Sequence, residues 1–140
     1  MPRIERTAEI VWEGNVARGA GTITAGTGAF SQLPYSLPAR VGAAEGKTSP
    51  EELLASAHGG CLTMSIASEL VQAGTPPTRL EVTCRIVMDE IEGQGHQIVA
   101  SHVTISGDDV PEDVLERADS GCPFSSLLRR AGVEVTLTRA

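Results

Sequence analysis

Ser49-Pro50-Glu51-Glu52 opens the longest uninterrupted element this chain can form. Serine followed three residues later by glutamate is a capping box, and proline is preorganised for the first helical position. From there apolar and small residues run to Val71, and Gly74 with Pro76 and Pro77 ends the run. Leu53, Leu54, Ala57, Cys61, Met64, Ile66, Leu70 and Val71 leave little of the circumference polar. A helix apolar all round must be covered all round. The sequence therefore predicts a long, buried central helix with the rest of the fold arranged about it. Gly59-Gly60 falls near its middle, where each glycine costs roughly 1 kcal/mol against alanine. Close packing on a neighbouring element, or room for a substrate beside Cys61, offsets that cost.

The flanking segments read as strands and short helices. Arg6 to Glu13 alternates, with Ala8, Ile10 and Trp12 on one face, and predicts a strand. Gly19 to Thr24 predicts a second, and Phe30 to Leu37 a third that Pro34 and Pro38 confine to an edge or a loop. Residues 39–48 read as a loop carrying Arg40. After the central helix, Leu80 to Met88 and Gln97 to Ser106 predict a hairpin about Glu92-Gly-Gln-Gly95. A helix capped by Asp109-Val-Pro111 runs to about Ala118, another starts at Cys122-Pro123 and reaches about Arg130, and Val133 to Thr138 predicts the last strand. Hairpin-connected strands with segregated helices give an α+β class, with antiparallel sheets, in one domain over residues 1–140. That length suffices for a core without disulfide or metal staples.

Charge and composition exclude several functions. The net charge is -7, and the eleven Lys and Arg residues are scattered. Neither nucleic acid nor an anionic membrane surface is therefore an expected partner. One Trp, one Tyr and two Phe cannot make a stacking platform for bases. Met1-Pro-Arg-Ile-Glu-Arg6 leads into charge, so no signal peptide is expected, and no run of about 20 apolar residues could span a bilayer. Three cysteines, an odd count, fit a reducing cytoplasm better than a secreted disulfide framework. The glycine-rich Gly14 to Gly28 precedes no helix and has no phosphate-loop spacing, so no nucleotide cofactor is expected.

The chemistry-bearing residues are the cysteines. Cys84 shares an apolar face with Leu80, Val82, Ile86 and Met88 and reads as a core thiol. Cys61 is either a packing residue of the central helix or a reactive thiol. Cys122 is either a small capping residue or, as the N-cap before Pro123, a sulfur facing free backbone N–H groups at the positive end of a helix dipole. Helix N-termini and cationic neighbours favour the thiolate, the form that attacks peroxides and disulfides. His58, one turn before Cys61, invites a zinc reading with both cysteines, but three ligands without a fourth and no Cys-x-x-Cys make no zinc site. His96 and His102 read as solvated or hairpin-paired.

The segment Thr48-Ser-Pro-Glu-Glu-Leu-Leu-Ala-Ser-Ala-His-Gly-Gly-Cys61, with Gly121-Cys-Pro-Phe-Ser125 some sixty residues on, closely resembles the OsmC/Ohr family of peroxide-stress proteins. Trp12-Glu-Gly-Asn15, Arg18-Gly-x-Gly-Thr22, the loop through Arg40 and the final Val133-Glu-Val-Thr-Leu137 extend the resemblance almost end to end. The Ala-His-x-x-Cys form is more similar to the OsmC branch than to the Ohr branch. The resemblance implies an intertwined homodimer that reduces hydroperoxides through cysteine, organic hydroperoxides above hydrogen peroxide. It matches the reactive cysteine to Cys61, the resolving cysteine to Cys122 and the acidic helper to Glu51. The arginine of the OsmC branch matches Arg40, and that of the Ohr branch lies closer to Arg18. A lipoyl-type dithiol is the reductant it points to. Gly59-Gly60 departs from the other small residues common there and bears on the shape of the substrate pocket.

Each of these residue types has a chemical reason. Free cysteine is only about 3% thiolate at pH 7, and a guanidinium stabilises both that anion and the alkoxide that leaves as O–O breaks. A carboxylate can hold the guanidinium by paired hydrogen bonds. Glu51 and Cys61 are ten residues apart, roughly 15 Å along one helix at 1.5 Å per residue. The expected site is therefore shared, with Cys61 and Cys122 from one chain and Glu51 with Arg40 from its partner. Two other readings are a non-catalytic binder of an apolar ligand and a protein with a static disulfide or metal site.

Overall fold

The alternating apolar face of Ala8, Ile10 and Trp12 is realised in strand β1 (Ala8–Glu13) of a computed structural model that describes residues 3–43 and 46–140. It pairs antiparallel with β2 (Ala20–Ala25), which pairs in turn with β3 (Leu33–Tyr35), in the sheet order β1-β2-β3. Pro34 thus sits on an edge strand, where its missing N–H costs no ladder bond. That strand is only three residues long. Pro38 lies instead in a short helix, α1 (Leu37–Val41), so residues 39–41 are not the loop that the sequence predicts. Ser36 caps this helix by accepting the Ala39 N–H at 3.2 Å, and proline near its start needs no donor partner. Residues 44 and 45 of the expected loop lie outside the described residues.

Residues from Glu51 onward form a second compact unit, distinct from the one ending at Pro50. Helix α2 (Pro50–Gln72) runs unbroken through Gly59-Gly60. Strands β4 (Leu80–Ile91) and β5 (Gly95–Gly107) form the expected hairpin, and Gly93 and Gly95 supply the positive φ its turn needs. Helices α3 (Glu112–Ser120) and α4 (Pro123–Arg130) follow, then strand β6 (Glu134–Arg139). The expectation of purely antiparallel sheets fails here. Strand β6 lies parallel to β5, because the two helices between them carry the chain back to the starting end, as a parallel pair requires. The α+β class holds.

The core of this unit is the stripe Leu62, Ile66 and Leu70 of α2, packed with Val103 and Ile105 of β5 and Val114, Leu115 and Ala118 of α3. Burying each large aliphatic side chain contributes about 1.5–3 kcal/mol. Other positions of α2 are covered only in part within one chain. Met64 is 76% and Val71 58% exposed, so the all-round burial predicted from composition is reduced to one stripe at i, i+4 spacing. Gly59 answers the first of the two glycine readings. A Cβ there would lie 3.1 Å from the Cβ of Cys84, so the glycine lets α2 approach β4 closely. Gly60 has open space around it.

A β-carbon is fixed by its backbone and cannot rotate away. Gly59→Ala should therefore lose stability despite a helix-propensity gain of about 1 kcal/mol, because overpacking costs about 1–3 kcal/mol. A lowered urea midpoint for Gly59→Ala, and failure of Gly59→Leu to fold, are the expected results.

Candidate active site

Cys61 is placed by the same helix that builds the core. One residue before Leu62 on α2, it faces sideways from the core stripe, is half-buried, and packs against the cluster that includes Cys122. Cys122 is fully buried as the N-cap of α4. The two thiols are near enough for Cys122 to act on the ionisation of Cys61, and both cysteines are free. Cys61 is thus the thiol that solvent can reach.

The sequence predicts that the Cys122 sulfur faces the free N–H groups of α4. It makes no such capping bond. Pro123 has no N–H to offer, and the Phe124 N–H lies near enough to Cys61 to favour its thiolate. The helix end therefore serves the neighbouring cysteine rather than its own N-cap. Burial pushes the Cys61 thiol up, hydrogen bonding with Cys122 and its charge push further, and the Phe124 N–H works in the opposite direction.

His58 is a site residue that the sequence reading missed. It is fully buried, three residues before Cys61 on α2. Its Nδ1 lies 2.7 Å from Ser101 Oγ of β5 and its Nε2 2.8 Å from Ser125 Oγ of α4. Each ring nitrogen is engaged by a serine hydroxyl. Whichever tautomer is present, one nitrogen donates and the other accepts. Cys84 adjoins this network with Sγ 3.3 Å from Ser101 Oγ, and it is a half-buried thiol packed against the core. Ser101 stands in no motif, and Ser125 closes Gly121-Cys-Pro-Phe-Ser125 without any sign that it faces His58, so only the helical offset to Cys61 was visible beforehand. His102, by contrast, is strand-paired as expected, with Nδ1 2.6 Å from Thr136 Oγ1 of β6.

Glu51 stands in the first turn of α2 and Cys61 ten residues on in the same unbroken helix, roughly 15 Å along its axis. Arg40 belongs to α1, in the other compact unit, and is an exposed residue. There it lines a cavity of about 260 Å³ with Trp12, Val16, Tyr35 and Leu37. The Trp12 and Tyr35 rings lie 5.5 Å apart and are inclined at 60°. Gly21 makes room for both, since a Cβ would collide with each ring. Arg18 lies in the turn before β2, where its N–H bonds Asn15 Oδ1 at 2.8 Å. A larger groove of about 590 Å³ runs between α2 and β4, lined by Ser56, Gly59, Gly60, Thr63, Val82 and Cys84. Cys84, not Cys61, is the cysteine on its wall. Among the described residues no helix is long and apolar enough to cross a membrane.

Comparison with known proteins gives a consistent picture. The model of the OsmC-like protein family matches residues 42–138. Peroxiredoxin OsmC of Escherichia coli (strain K12) is 32% identical over 140 residues, covering 96% of this chain and 94% of that protein. The crystal structure of the organic hydroperoxide resistance protein OhrB of Bacillus subtilis aligns with a TM-score of 0.74 at 22% identity, covering 96% of this chain and 98% of that one. An OsmC-like protein of unknown function from Vibrio cholerae O1 aligns with a TM-score of 0.76 at 16% identity, over 99% of this chain and 100% of its own. Those two structural likenesses speak for the fold.

Burial holds the His58 imidazole below its ordinary pKa, while Asp119 raises it and Arg129 lowers it to smaller extents. In the unfolded chain the imidazole takes up a proton near pH 6.5, about the unperturbed value. The folded state resists that proton, so stability is present above this pH and is lost as pH falls from there through the lower folded pKa. Thermal midpoints of the wild type should therefore drop more between about pH 7.5 and about pH 5.5 than those of His58→Gln.

Proposed function

This chain belongs to the OsmC-like family, and from that premise we propose that it is a thiol-dependent peroxidase that reduces organic hydroperoxides to alcohols. The observation that carries the reading is a half-buried Cys61 packed against the cluster that holds a fully buried Cys122. Accessibility supports the roles in this reading, in which peroxide reaches Cys61 first and Cys122 waits behind it. The names of the relatives, a peroxiredoxin and an organic hydroperoxide resistance protein, support the substrate class.

In the proposed reaction the Cys61 thiolate attacks one peroxide oxygen. The S–O bond forms as O–O breaks, and the leaving alkoxide takes a proton to become the alcohol. Cys122 then displaces water from the sulfenic acid, giving a Cys61–Cys122 disulfide. An external dithiol, of lipoyl type in this reading, returns both thiols and is itself oxidised. Arg40 is the cation that counters the burial of Cys61, and Glu51 orients it. A guanidinium also meets the charge that develops on the departing oxygen.

The ten-residue separation of Glu51 and Cys61 along a continuous helix supports a site shared by two chains. So do the large apolar side chains left exposed in the single chain, among them Ile10, Val11, Met64 and Val71. A second copy of the chain is the proposed cover, as in an obligate dimer. In that homodimer Cys61 and Cys122 come from one protomer, and Arg40 with Glu51 from its partner.

After one equivalent of cumene hydroperoxide, mass spectrometry should find the Cys61–Cys122 disulfide with Cys84 still free. Cys61→Ser should consume no peroxide, and Cys122→Ser should consume one equivalent per site and stall as an oxidised acid. A bond to Cys84, or identical behaviour of the two variants, would sink the assignment.

Mixing Cys61→Ser with Glu51→Ala protein under subunit exchange tests the shared site. Each heterodimer then holds one site with both the thiol and the carboxylate, so activity should reappear. With sites confined to single chains every site lacks one group, and the mixture should stay inactive.

A further inference from the structure

Two contacts join α2 to α4, and their spacing is matched. Cys61 meets Cys122, and His58 meets Ser125. Three residues separate the partners on each helix, about 4.5 Å of rise. The order is reversed, because the earlier residue on α2 pairs with the later one on α4. The result is a two-rung ladder between antiparallel helix segments, with one thiol rung and one imidazole rung. His58 is itself fixed from behind, where Ser101 of β5 holds its other nitrogen at 2.7 Å. His58, Ser101 and Ser125 are all buried to within 1%.

Helix α4 has only eight residues, and a helix this short is set by its tertiary contacts rather than by its own propensity. Its rotation decides where the Cys122 sulfur and the Phe124 N–H point. A rotation of one residue, about 100°, would carry both away from Cys61.

We propose that His58 is a positioning residue: by holding Ser125 against Ser101 it fixes the rotation of α4, so that Cys122 and the Phe124 N–H fall on Cys61. This rests on the peroxidase reading for its role in turnover, but the geometry can be tested without peroxide. His58 bonds to neither of these two thiols, and its effect falls chiefly on the step in which the two sulfurs must meet. The Phe124 N–H is the smallest of the influences on the Cys61 thiol, and Cys122 acts in the opposite direction. Cys61 stays on α2 whatever α4 does, so its first reaction with peroxide is largely spared. Disulfide closure is not.

The test compares Ser125→Ala and His58→Gln with the wild type, and with Leu70→Ala as a destabilised control toward the far end of α2. Closure of the Cys61–Cys122 disulfide is timed twice, once after a single equivalent of cumene hydroperoxide and once with diamide, which takes two electrons and two protons from the thiol pair directly. Closure in Ser125→Ala should slow about tenfold or more by both routes, while Cys61 attack on peroxide changes less than about threefold. A larger share of Cys61 should then reach sulfinic acid under excess peroxide. Leu70→Ala should close at the wild-type rate at temperatures equally far below its own midpoint. Folded Ser125→Ala closing at the wild-type rate, or Leu70→Ala slowing as much, overturns the proposal. If His58→Gln does not fold, Ser125→Ala alone decides, since it removes only one hydroxyl. A wild type that closes with diamide but not with peroxide would overturn the peroxidase reading and leave the diamide comparison to decide this one.

Discussion

The packing of one stripe of α2 against β5 and α3 is the constraint on which the second unit depends. Leu62, Ile66 and Leu70 fix the rotation of the helix about its axis. Once that rotation is set, every other side chain on α2 has its direction assigned at about 100° per residue. Cys61 is turned toward α4, Gly59 toward Cys84 on β4, and Met64 away from the core altogether. Hydrophobic burial supplies the energy, and the chemistry inherits its geometry from it.

Much of this was legible in the sequence, for definite reasons. The start of α2, its length and its end were given by Ser49-Pro50-Glu51-Glu52 and Gly74 with two prolines, signals that act locally. The hairpin β4–β5 followed from period-two alternation and a glycine-bearing turn. What escaped was non-local. The parallel return of β6 depends on where two helices deposit the chain, and no residue in β6 encodes it. Helix α1 was hidden because Pro38 reads as a breaker, whereas beside a capping Ser36 it starts a helix. His58 was visible as a helical neighbour of Cys61, but its partners Ser101 and Ser125 lie 43 and 67 residues away in sequence.

Composition also overstated one thing. An apolar circumference predicts burial, but it does not say whose atoms do the burying. Within a single chain α2 covers one stripe and leaves Met64 and Val71 to solvent, while β1 leaves Ile10 and Val11. The same sequence signal that predicts a core can therefore describe a surface that another copy of the chain completes, and pattern alone does not separate the two.

Trp12 gives the molecule a property that its chemistry does not require. It is the sole tryptophan of the chain, and its indole N–H donates to the Gly14 carbonyl at 2.9 Å while its ring leans on Tyr35 beside Arg40. The three cysteines all lie in the other compact unit. Intrinsic emission excited in the indole band therefore originates wholly in the unit that bears Arg40, while every thiol event begins outside it. The protein carries an optical observer in one unit and all three of its thiols in the other. Any change in that emission on oxidation is, by construction, a message that has passed between them.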